Sequence, residues 1–94
     1  MTLGPLDRWI ITSHARFQMQ RRSISMEEID GVLRSPEQCD EIGGGRRIYQ
    51  GRVEAGAGEK LYLLRVFVDM SYSPPHVVTV YRTSKVEKYL GQEP

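Results

Sequence analysis

The chain changes its hydrophobic period once, near Arg46, and that change limits what it can fold into more than any other feature. Downstream, three runs alternate with a period of two: RRIYQGRV from Arg46, LYLLRVFVD from Leu61 and HVVTVYR from His76. They are rich in β-branched and aromatic residues. The connectors EAGAGEK and MSYSPP are short enough for hairpins and too short for a parallel crossover, so an antiparallel meander is expected. In the second run Tyr62, Leu64, Val66 and Val68 share one face, and Leu61, Leu63, Arg65, Phe67 and Asp69 share the other. In the third run Val78 and Val80 lie opposite Thr79 and Tyr81. The aliphatic faces predict the side on which helices pack, and the opposite face is expected to stay open.

Upstream of Arg46 the pattern is helical. Thr12 or Ser13 is a candidate N-cap for a helix over Ser13 to Arg22, with Ala15, Met19 and Arg22 at helical spacing. A second start follows at once, where Ser25 and Glu28 have the spacing of a capping box. Glu27 and Glu28 suit the positive end of the helix dipole, and Ile29, Val32 and Leu33 form an apolar stripe that should stop before Pro36. Residues 35–45, with three consecutive glycines and the acidic Glu37, Asp40 and Glu41, read as a flexible loop. Ser84 and Glu87 repeat the capping-box spacing, which predicts a short terminal helix anchored by Val86, Tyr89 and Leu90.

Composition fits this plan. Ninety-four residues with 39% hydrophobic and 27% charged side chains give one domain, expected over residues 8–90 with residues 1–7 and 91–94 as flexible ends. The net charge of +1 argues against a polycationic nucleic-acid coat but leaves room for a local basic patch. No apolar run approaches the roughly 18 residues of a membrane span, and no signal segment opens the chain, so a soluble cytoplasmic protein without membrane contact is expected. One cysteine and two histidines fall short of a zinc set or an internal disulfide, so neither metal nor cofactor is expected.

Several residues could carry chemistry. His14 sits in the opening turn of the first helix, beside unpaired amides and the positive dipole end, a setting that favours the neutral imidazole a general base needs. The plainer reading is that it fastens its own helix start. Arginine supplies ten of the thirteen basic residues, and Arg8, Arg16, Arg21 and Arg22 form a stretch without an acidic residue. Their guanidinium groups could grip phosphate, or simply form a solvated helix surface. Arg65, in the middle of an apolar strand, needs a partner; Thr79 and Tyr81 would share its sheet face if the second and third runs are neighbours, giving a cation, a hydroxyl and a phenol for an anionic substrate. Arg82 and Lys85 extend that positive region. His76 follows two prolines and reads as a turn residue, and Cys39 among acidic residues has no reason to be a lowered-pKa nucleophile. Tyr49, Tyr62, Tyr72 and Tyr89 could stack on bases, although tyrosines at strand spacing usually pack.

Taken together, SHARFQMQRRSISMEEI and VVTVYRTSKVEKY resemble the bacterial family known as domain of unknown function 4258. The pattern of that family falls here on His14, Ala15, Met19, Arg22, Ile24 and Ser25, then on Thr79, Val80 and Tyr81, and the resemblance spans roughly residues 10 to 90. Where many members carry an Arg four residues after the His, this chain has Gln18. The family is similar, at a distance, to the RelE and barnase-like ribonuclease toxins, in which helices pack on an antiparallel sheet whose open face handles RNA. The resemblance implies an α+β fold of that kind, with two short N-terminal helices, a three- to four-stranded antiparallel sheet and a short C-terminal helix. It further implies a metal-independent endoribonuclease of toxin-antitoxin type. In that reading His14 would be the acid or base, Arg22 or Arg65 a phosphate clamp, and Thr79 and Tyr81 would orient RNA or stabilise the leaving oxygen. Arg16, Arg21, Arg22, Arg82 and Lys85 would contact RNA, and an antitoxin protein would cover the positive face with an acidic or strand-forming segment. The alternative is a non-catalytic protein- or RNA-binding module of the same fold. An exposed third strand could also pair with a second copy into a homodimer.

Overall fold

The structure is a computed structural model that describes residues 4–55 and 60–89. Helix α1 (Ser13–Arg22) begins where Thr12 leaves the extended region, with its Oγ1 accepting from the Ala15 N–H at 3.2 Å. It ends at Ser23, which takes a left-handed conformation (φ 54°) and donates its N–H to the Met19 carbonyl. Helix α2 (Met26–Arg34) opens on the expected capping box: Ser25 Oγ accepts from the Glu28 N–H at 3.0 Å, and Glu28 Oε1 accepts from the Ser25 N–H at 2.9 Å. Its stripe of Ile29, Val32 and Leu33 is buried.

The sheet has five strands rather than three or four, and it is mixed rather than purely antiparallel. In chain order they are β1 (Ile10–Ile11), β2 (Gln38–Gly43), β3 (Arg46–Ala55), β4 (Lys60–Asp69) and β5 (His76–Thr83), arranged in space as β1-β5-β4-β3-β2. The three alternating runs form the expected meander β3-β4-β5. The additions lie at the two sides. β2 occupies the segment expected to be a loop; it is an antiparallel edge strand with mostly exposed side chains, so it needs no apolar alternation to form. The glycines expected to give flexibility instead make a tight turn, with φ of 90°, 64° and 76° at Gly43, Gly44 and Gly45. β1 is two residues long, too short for any periodicity, and pairs in parallel with the start of β5. The strand expected to offer a free edge for a second copy, β5, is thus flanked by β1 and β4, and β2 has a strand neighbour on one side only.

α1 and α2 pack on one face, over Tyr49, Leu64, Val66, Val68, Val77 and Val80. The third run enters that core differently from the simple alternation. Phe67 is opposite Thr79 but Val68 is opposite Val77, so an irregularity absorbs Val78 and turns Val77 into the core. Within the segment expected as a loose lead-in, Leu6 donates its N–H to the Leu33 carbonyl at 2.7 Å, and the Gly4 carbonyl accepts from the Tyr49 hydroxyl at 3.3 Å. The short terminal helix is α3 (Val86–Tyr89), preceded by a bond from the Lys85 N–H to Thr83 Oγ1. Leu90, residues 91–94 and residues 1–3 lie outside the described residues. Among the described residues no helix is long and apolar enough to cross a membrane.

Candidate functional site

The face opposite α1 and α2 carries the site. Cross-strand register places Gln50, Arg65 and Tyr81 in one row across β3, β4 and β5, with Ile48, Phe67 and Thr79 in the next row. Arg65 is the centre of the first row. Its Nε donates to Gln50 Oε1 at 2.7 Å and its Nη1 donates to the Tyr81 hydroxyl. Three rings surround the guanidinium carbon: Tyr89 of α3 at 4.0 Å, Tyr81 at 5.5 Å and Phe67 at 5.7 Å, measured to the centroids. Phe67 and Tyr81 also lie nearly parallel, with centroids 6.2 Å apart.

This face was expected to be open, and its middle is not. Leu63 is fully enclosed there and Gln50 is only 2% exposed, because the long side chains of this face and α3 lie over the strands. Burial explains why Gln50 needs Arg65: a buried amide oxygen without a donor would be costly. The chemistry of the Arg65–Tyr81 bond is directional. A guanidinium only donates, so the Tyr81 oxygen accepts and its own proton remains to be given to a second acceptor. An arginine beside a hydroxyl with a proton to give is an arrangement suited to a phosphate group.

Thr79 shares the Arg65 face, one row away and opposite Phe67. His14 is exposed in the first turn of α1, and among the described residues no hydrogen bond, ion pair or ring contact joins it to Arg65 or Tyr81. Arg16 and Arg21 are exposed on α1, and Lys85 is exposed just before α3. Arg22 and Arg82 are engaged with backbone: Arg22 Nη1 donates to the Val80 carbonyl at 3.1 Å, and Arg82 Nη1 to the Ser23 carbonyl at 3.3 Å. Gln18 stands one turn before Arg22 and accepts from the Val80 N–H at 3.0 Å, so α1 takes both backbone groups of Val80. Beyond the end of β1, two side chains therefore satisfy the edge of β5 as a strand would.

Two further clusters are structural in character. Arg52 holds the Glu37 carboxyl below its ordinary range through a hydrogen bond at 2.9 Å. Burial pushes the Cys39 thiol up, with Tyr49 and Arg47 pulling the other way, so it is not an activated nucleophile. His76 stacks on Tyr72 with centroids 3.9 Å apart. Among the described residues no group of three or more His, Cys, Asp or Glu side chains is placed to hold a metal.

Gln50 and Phe17 escaped the sequence reading. Gln50 becomes visible only when strand register sets it beside Arg65. Phe17 carried a signal, an aromatic residue off the Ala15–Met19 stripe, and it is 55% exposed. No curated protein and no solved structure matches the chain. The family described as Domain of unknown function (DUF4258) matches residues 11–82. With most of its length covered by that match, the chain belongs to the DUF4258 family.

Proposed function

We propose that this domain is a metal-independent endoribonuclease of toxin-antitoxin type, similar at a distance to the RelE and barnase-like toxins, and that Arg65 and Tyr81 hold the scissile phosphate. The observation that carries the reading is the Arg65–Tyr81 bond on a sheet face, braced from the other side by Gln50. In the reaction the 2′-hydroxyl loses its proton to a base and its oxygen bonds to phosphorus, while the bond from phosphorus to the 5′-oxygen breaks and that oxygen takes a proton. Arg65 offsets the charge that builds on the phosphoryl oxygens. Tyr81, whose oxygen already accepts from Arg65, is oriented to give its proton to the leaving oxygen. His14 lies on α1, on the face of the sheet opposite Arg65, so it is left out of this step and the 2′-hydroxyl proton passes to solvent water. Thr79 orients the strand of RNA; Arg16, Arg21, Arg22, Arg82 and Lys85 supply phosphate contacts, with Arg22 and Arg82 sharing that role with the fastening of α1. An antitoxin in this reading covers the Arg65 face.

The non-catalytic binding module is the second reading, favoured by one observation: Arg65 is already bonded to Gln50 and stacked on Tyr89, as a purely structural arginine would be. Incubating labelled RNA in EDTA with the parent protein and with identically purified Arg65→Gln and Tyr81→Phe separates the two. Cleavage by the parent and its loss in the variants supports the ribonuclease. RNA left intact by the parent, with the fold confirmed by circular dichroism, favours the module.

A further inference from the structure

α1 has two kinds of surface. Ala15 and Met19 are buried against the sheet, while Gln18 and Arg22 are committed to Val80. The rest of the helix faces solvent, and it presents Phe17, 55% exposed, with the Arg21 guanidinium 5.7 Å from its ring centroid one turn further on. Arg16 is exposed beside them, and neither it nor Arg21 has an ion pair among the described residues. No acidic residue occurs between Arg8 and Met26.

Phe17 takes no part in the core, and its charged setting selects the occupant. A protein partner would have to bring both an apolar pocket and carboxylates. An unpaired base with its phosphates brings a π-face for Phe17 and anions for Arg16 and Arg21 in one repeating unit. We infer that the outer face of α1 is a base-stacking platform for single-stranded RNA, with Phe17 as the stacking surface and Arg21 and Arg16 on the flanking phosphates. The choice of RNA over other single-stranded nucleic acid rests on the function proposed above; the platform itself rests on the charge and exposure of α1.

The test is fluorescence anisotropy with a labelled 2′-O-methyl oligouridine, which lacks the attacking hydroxyl and stays intact. The parent should bind it more tightly than a duplex of the same length. Phe17→Ala should weaken binding on the order of tenfold, with Phe17→Trp restoring it. Arg21→Gln should lower the slope of log affinity against log salt by about one. Because Phe17 is exposed, the variants should melt with the parent. Binding unchanged in Phe17→Ala, equal binding of duplex, or no binding by the parent each overturns the inference. Failure of the proposed function is separable: Phe17-dependent binding without cleavage of ordinary RNA keeps the platform and removes the ribonuclease, and cleavage with Phe17-independent binding does the reverse.

Discussion

Arg65 on β4 stands directly across from Tyr81 on β5, and its Nη1 donates to the phenolic oxygen. This relationship separates two effects of one oxygen atom. Tyr81→Phe keeps the ring that packs beside Arg65 and Phe67, so its stability cost should be that of one lost hydrogen bond, about 1 kcal/mol. Its effect on RNA cleavage should be about a hundredfold, the usual scale for removing a donor that acts in the transition state. Thr79→Val should weaken cleavage in the same direction without unfolding the domain. Urea melts and single-turnover rates read both; a large drop in stability with unchanged activity would make this face structural.

The capping of β5 by α1 predicts a cost where no apolar contact is lost. Gln18→Ala leaves the Val80 N–H without its partner and Arg22→Ala leaves the Val80 carbonyl without its own. Each should destabilise by about 1–3 kcal/mol, and the double variant should fall short of the sum because both act on one peptide segment. Melts indistinguishable from the parent would show that water replaces both bonds.

Much of this architecture was legible in the sequence, and the parts that were not share a cause. The capping box at Ser25 and Glu28, the helix over Ser13–Arg22 and the meander β3-β4-β5 are local or periodic features, and each took its expected place. β1 and β2 depend on neighbours instead: two isoleucines beside β5, and a polar edge strand registered on β3 by a glycine turn. The same holds at the candidate site. Arg65, Thr79 and Tyr81 fell on one face by alternation, whereas Gln50 and Tyr89 joined Arg65 through strand register and the return of α3. Gln18 and Arg22 had no signal for their contact with Val80, which lies 62 and 58 residues away along the chain.

Ser23 ends α1 with φ of 54°, a conformation in which a side chain is strained and glycine is not. Its carbonyl, which accepts from Arg82, is backbone and survives substitution. Ser23→Gly should therefore stabilise by up to about 1 kcal/mol, since glycine relieves the left-handed strain but gains freedom in the unfolded chain. A lower melting temperature would contradict this account of the helix end.

Glu37 joins the acid response of the fold to the edge of the sheet. Its carboxyl is held below the ordinary carboxylate value, chiefly by the Arg52 hydrogen bond, so the folded state binds that proton less readily than the unfolded chain. The contribution is fully present above the ordinary value and is lost as pH falls through the lowered one. Glu37→Gln should flatten this part of the acid limb, and the difference should shrink in high salt because the pair is partly exposed. Parallel pH profiles for parent and variant would remove Glu37 from the acid response.

Cleavage by the 2′-hydroxyl leaves its signature in the ends of the fragments. RNA of defined sequence should be incubated with the domain in EDTA and the fragments weighed by mass spectrometry. Attack by the 2′-hydroxyl requires fragments ending in a 2′,3′-cyclic phosphate, or the monophosphate from its opening, paired with fragments beginning in a 5′-hydroxyl. Intact RNA, or fragments carrying 5′-phosphates and 3′-hydroxyls, would contradict the reaction assigned to Arg65 and Tyr81.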